Sequence, residues 1–148
     1  MSESLALAVL GYLHIVALSL WFGGLFGYVV IVWPAIISEA GDAFPRALLV
    51  RIAVGTAPWI YMGMATALLS LGGFWAMGGG PRATWMAAYS VLLTALVANN
   101  VYGTKVAWPR IMFAPERLAR TEWQWFRLRM TVSLVVGLGL HGAAILAT

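Results

Sequence analysis

The chain has 148 residues, of which 62% are hydrophobic and 9% charged, with a formal net charge of +4 and no cysteine. Ordinary soluble domains are about a quarter charged, so the composition predicts one all-membrane domain over 1–148. The missing cysteines exclude disulfides, thiolate metal sites and iron–sulfur ligation. The basic residues gather in particular connections, which reads as a topology signal and not as nucleic-acid binding.

The opening Met-Ser-Glu-Ser lacks a basic n-region, so the first apolar run is expected to be a retained helix. Four apolar stretches follow, at about 5–33, 52–77, 83–106 and 125–147. Each exceeds the roughly 20 residues needed to span the hydrocarbon layer. None alternates as a barrel strand would, which leaves helices as the spanning elements. The expected fold class is an all-α membrane protein, an antiparallel four-transmembrane-helix bundle. Pro34 is expected to end the first helix. The connection Gly78-Gly79-Gly80-Pro81-Arg82 reads as a tight turn of helix breakers, making the second and third helices antiparallel neighbours. Pro115 followed by Glu116 reads as a helix start. After it, Arg117, Arg120, Trp123, Trp125 and Arg127 mix cations with indoles. That mixture predicts a segment on the membrane surface ahead of the fourth span, an anchor or a lipid or partner contact. No internal repeat stands out.

Charge sets the expected orientation. Arg46 and Arg51 flank the first connection, and Lys105, Arg110, Arg117, Arg120, Arg127 and Arg129 lie in or beside the third. Only Arg82 lies in the second. The first and third connections are therefore expected in the cytoplasm, with both termini outside, in a multi-pass protein of the bacterial inner membrane.

Two histidines carry the functional expectation. An ionisable side chain inside a span is costly and points to function. His14 lies inside the first apolar run and His141 near the end of the fourth. At about 1.5 Å of rise per residue, both fall roughly 10 to 14 Å below the outer helix ends. In an up-down-up-down bundle the first and fourth helices are neighbours. Two imidazoles at one depth on adjacent helices are what a bis-histidine b-type haem requires. Gly11 and Gly137 share helix faces with His14 and His141 and would let a porphyrin approach the backbone. The same glycines, with Gly23-x-x-x-Gly27, also fit plain helix packing.

Copper is the alternative ligand, since imidazole and thioether both suit it. Met62, Met64, Met77 and Met86 are the thioethers in reach of such a reading, though Met62 and Met64 point to different helix faces. A third reading is a structural subunit whose histidines only pack. Asn99, Asn100, Tyr89, Ser90 and Thr94 read as polar glue between helices. No carboxylate falls deep in a span, and no Ser-His-Asp set, His-Glu-x-x-His or phosphate-cradling loop is present. Hydrolase and nucleotide-dependent readings have no residues to stand on.

The run Leu13-His14 followed by Trp21-Phe22-Gly23-Gly24-Leu25-Phe26 resembles the first helix of a group of small bacterial membrane proteins. That group holds the copper-resistance protein D family and the HemJ-type protoporphyrinogen oxidases. The segment 46–72, with Pro58, faintly resembles the second helix of the HemJ type. The resemblance implies a helix bundle, with haem and porphyrinogen oxidation in one branch and copper handling in the other. It makes His14 the match to the family's helix-one histidine. The HemJ type carries a lysine at the start of its third helix and a histidine further on. Here Met86-Ala87-Ala88-Tyr89 and Ala98-Asn99-Asn100 stand in that region, which argues against porphyrinogen oxidase activity. The leading expectation is thus a cytochrome-like redox protein, an oxidoreductase component with His14 and His141 as axial ligands. It would pass electrons to a membrane redox partner, or serve as a subunit of a larger complex or homo-oligomer in the lipid bilayer.

Overall fold

A computed structural model describes residues 3–40, 44–77 and 83–147. Among them the structure is helical and contains no strand. The turn at 78–82 predicted from its glycines lies outside the described residues, as does Asp42. The first helix, α1 (3–40), is three segments run together: Glu3–Phe26, a π-helical stretch Gly27–Val32, and Trp33–Ala40. The second, α2, is Arg46–Ala76. The third, α3 (83–113), repeats the plan of the first, with Ala83–Tyr102, a π-helical Gly103–Ala107 and Trp108–Phe113. The fourth, α4, is Glu116–Ala147. Three of them, over Glu3–Ser38, Arg46–Ala76 and Thr84–Phe113, are long and apolar enough to cross a membrane. A lipid bilayer is therefore the environment that suits the chain. The N-terminal part of α4 is studded with arginine.

Pro34 does not end α1. A proline ring clashes with the carbonyl four residues back and has no N–H to bond it. At Pro34 and Pro109 the turn ahead of the proline is widened, whereas Pro58 sits in the unbroken α-helix of α2. The Trp33 N–H bonds the Tyr28 carbonyl, and the Trp108 N–H bonds the Gly103 carbonyl. Each bond reaches back five residues, the π pattern. Both stretches begin at a glycine and end on Trp-Pro, at Trp33-Pro34 and Trp108-Pro109. Pro115 does start a helix, but α4 then runs unbroken, so no separate surface segment precedes it. Trp123 turns into the core and Trp125 stays exposed.

Neighbours are antiparallel. Between α1 and α2, His14 meets Ser70, Leu10 meets Gly73, and Trp21 meets Gly63. Between α1 and α4, Ser19 meets His141, Phe22 meets Gly137, and Trp33 stacks on Trp123. Between α3 and α4, Asn99 meets Ser133 and Trp108 meets Trp123. In α2 and α3, Trp75 pairs with Ser90 and Tyr61 with Thr104. Helix association in lipid has no hydrophobic drive, so close packing at small residues and interhelical hydrogen bonds must supply it. Gly63 shows the first device: a Cβ there would lie 2.9 Å from the Ala17 carbonyl oxygen. The Gly23-x-x-x-Gly27 pattern is not used this way, since neither glycine has a neighbour within 4 Å of its Cβ position.

The chain does contain a repeat, in its burial rather than its letters. His14, Leu18, Trp21, Leu25 and Ile36 on α1 are buried, and so, at one constant spacing, are Tyr89, Leu93, Leu96, Asn100 and Ile111 on α3. Leu49, Gly63, Met64, Ala67 and Ser70 on α2 recur, at a second constant spacing, as Ala119, Ser133, Leu134, Gly137 and Leu140 on α4. Among the described residues the protein is two helical hairpins, α1–α2 and α3–α4, that share part of one burial pattern.

Candidate functional site

The polar centre of the bundle is where the two hairpins meet. His14 is 5% exposed and sits between α2 and α3. Its Nδ1 lies 2.8 Å from Ser70 Oγ, and its Nε2 lies 2.6 Å from Tyr89 Oη. Ser70 Oγ also lies 2.8 Å from the Thr66 carbonyl and 3.0 Å from the Ala67 carbonyl on its own helix. Phe74 stands edge-on to the imidazole at 6.1 Å, and Trp85 stacks on Tyr89 at 5.2 Å. Three helices are joined through one imidazole.

His141, on α4, lies against a different part of α1. Its Nε2 is 3.4 Å from Ser19 Oγ on the exposed flank of that helix, and its Nδ1 is buried with no partner. Ser19 is five residues past His14, so the two imidazoles are offset by roughly 7 Å along the axis at 1.5 Å per residue. They are near enough to interact electrostatically, but they do not face each other across a slot. Gly137, expected to open a porphyrin face, is filled: a Cβ there would fall 2.0 Å from the Phe22 ring. Gly11 faces Phe74, whose ring edge lies 4.0 Å from its Cβ position. Haem does not fit between the histidines as they stand. Both nitrogens of His14 are engaged, and Phe22, which is 1% exposed, fills the Gly137 notch. Among the described residues no three of His, Asp and Glu gather in one place. Met62 faces outward and Met64 inward, as their spacing requires.

Ser70 and Tyr89 are the site residues that sequence reasoning missed in this role. The repeat is the signal that could have found one of them, because Tyr89 occupies on α3 the position that His14 holds on α1. A second polar layer lies further along α3. Asn99 Nδ2 donates to Ser133 Oγ at 2.8 Å, Asn100 Nδ2 donates to the Leu96 carbonyl at 3.1 Å, and Tyr61 bonds Thr104. Buried Leu93 and Leu96 separate this layer from Tyr89, so the two do not join into a polar path along the bundle.

No protein-family model matches the chain, and neither a curated protein nor a solved structure does.

Proposed function

We propose that the chain is a four-span protein of the bacterial inner membrane, with both termini outside, that holds a copper ion through His14 and His141. One observation carries the reading: His141 Nδ1 is a buried imidazole nitrogen with no hydrogen-bond partner. A buried polar atom without a partner costs about 1–3 kcal/mol, so something is expected to satisfy it. The Ser70 contact orients one nitrogen of His14, and the other would reach an ion once the Tyr89 hydroxyl rotates away. Imidazole suits copper, and a bare ion needs no macrocycle-sized slot. The clustering of Arg46, Arg110, Arg117 and Arg127 at the other end of the bundle supports the orientation. The helix-one resemblance to the copper-resistance D family supports the ion.

Metal analysis tests this. The protein in lipid nanodiscs is loaded with Cu(I), freed of excess ion and assayed for copper. The wild type is expected to retain copper, and His14→Ala combined with His141→Ala to lose it. Equal retention by the two overturns the reading. Added haem giving a Soret band that the same double variant abolishes would replace copper with haem.

A further inference from the structure

Past their π turns, α1 and α3 both continue as short arms, 33–40 and 108–113, at the arginine-bearing end of the bundle. The two arms are held unequally. The α3 arm packs closely along α4. The glycine that opens its π turn is wedged: a Cβ on Gly103 would lie 2.7 Å from the Met130 side chain and 3.3 Å from the Phe126 ring. Its far end is tied to α2, where Arg46 Nη2 donates to the Ala114 carbonyl. The α1 arm is freer. Gly27, which opens its π turn, has nothing within 4 Å of its Cβ position. Among the described residues no other helix runs close along 33–40.

What holds the α1 arm to α4 is aromatic. Trp33 stacks on Trp123, and the Arg127 guanidinium sits 6.0 Å over the Trp33 ring. Closing the arm has a cost, because Trp33 Nε1, Trp123 Nε1 and Tyr28 Oη are then buried with no acceptor. A buried donor in that state has given up water and gained nothing. Swung out, indole and phenol reach water or headgroups at the membrane surface, where such side chains are at home. The joint is already weak, since Pro34 brings no N–H to the turn behind it and the π turn replaces regular α-helical bonding. We propose that the α1 arm is a strap that swings about 27–32 and is latched by Trp33 on Trp123, while the α3 arm stays fixed. The stack favours the latched state and the orphaned donors favour release. Release uncovers Trp123 and opens the α1–α4 seam at that end of the bundle.

The chain has no cysteine, so introduced cysteines carry spin labels at chosen sites only. Ile37, Phe113 and Leu128 are exposed and lie on the α1 arm, the α3 arm and α4. One protein carries Ile37→Cys with Leu128→Cys, and a second carries Phe113→Cys with Leu128→Cys. Double electron–electron resonance in lipid nanodiscs reads both pairs. The 37–128 pair is expected to show a short and a long distance, and the 113–128 pair a single one. Trp33→Ala is expected to raise the long share of the 37–128 pair about fivefold or more, because the contacts of a buried indole outweigh its one orphaned N–H, and to leave the 113–128 pair alone. Tyr28→Phe keeps the ring and removes one orphaned donor, so it is expected to lower the long share. One unchanged distance for the 37–128 pair in the wild type and in Trp33→Ala overturns the proposal. Equal broadening of both pairs overturns it as well, since that end of the bundle would then loosen as a whole. A larger long share in Tyr28→Phe removes the role given to the orphaned donors and also overturns it.

Discussion

The two hairpins share part of one burial pattern but are held together differently. In α1–α2 the helices touch along their length, from Leu10 on Gly73, through Ala17 and Trp21 on Gly63, to Gly24 on Ile60. In α3–α4 the contacts gather toward the arginine-bearing end, at Asn99 on Ser133, Gly103 on Met130 and Phe126, and Trp108 on Trp123. The other half of α3 is tied to the first hairpin by His14–Tyr89 and Trp75–Ser90. Where close packing stops, hydrogen bonds take over. Both histidines lie toward that end of the bundle.

The sharpest way to break this contrast is at the glycines. Gly137→Leu drives a side chain into Phe22, which is buried and stacked on Trp21 at 4.7 Å and so cannot step aside. A loss of about 3 kcal/mol is expected, at the upper end of overpacking costs. Gly63→Ala meets backbone at 2.9 Å and is expected to cost about 1–3 kcal/mol, outweighing alanine's better helix propensity. Gly139→Ala meets nothing within 4 Å and is expected to be neutral or to gain up to about 1 kcal/mol. Unfolding in mixed micelles measures all three. Equal effects at 137 and 139 would mean that Phe22 does not fill the notch.

A double-mutant cycle on His14 and Tyr89 probes the hydrogen-bonded end. His14→Ala leaves Ser70 and Tyr89 without their partner and opens a void, so about 2–4 kcal/mol is expected. Tyr89→Phe removes only the hydroxyl, for about 1 kcal/mol. Their coupling is expected near 0.6 kcal/mol and no higher than about 1.7, the range found for such bonds between membrane helices. Zero coupling would show that Tyr89 does not bond His14.

Three of the helices were legible as spans because length and hydropathy decide them, and 83 begins α3 as expected; the fourth apolar stretch, expected over 125–147, is the end of a longer helix that begins at Glu116 after Pro115. The site was legible only in part. His14 stood out as an ionisable group in an apolar run, but its partners are an ordinary serine and tyrosine whose importance lies in facing it. The pairing of His14 with His141 rested on matched depth, neighbouring helices and the glycines sharing their faces, none of which sets helix rotation: one ring sits inside the bundle and the other against the flank of α1. Proline was misread for a physical reason. Its rule describes an α-helix, and a π turn of one extra residue gives the ring its room while the helix continues. The repeat was hidden because few letters recur, Leu18/Leu93, Trp33/Trp108, Pro34/Pro109 and Ile36/Ile111 among them, while burial recurs at more positions.

The smallest effect is expected where the hairpins agree. In Pro34→Ala the N–H returns and the clash with the preceding turn disappears, so nothing in α1 itself then requires the wide turn. Reverting to an α turn would rotate everything beyond it by about 100° and pull Trp33 off Trp123. That stack is worth about 0.5–1.5 kcal/mol, comparable to the helix gain, so the widened turn is expected to persist and stability to move by less than about 1 kcal/mol. Pro109→Ala is expected to behave alike, because Trp108 is held by Trp123 and Phe126. Amide exchange at 28–34 and 103–109, with tryptophan fluorescence, follows the turn directly. Adding Trp33→Ala to Pro34→Ala removes the tie and should let the first turn tighten while the second stays wide. A turn that tightens in Pro34→Ala alone would mean that proline chemistry, and not the aromatic stack, holds the π geometry in place.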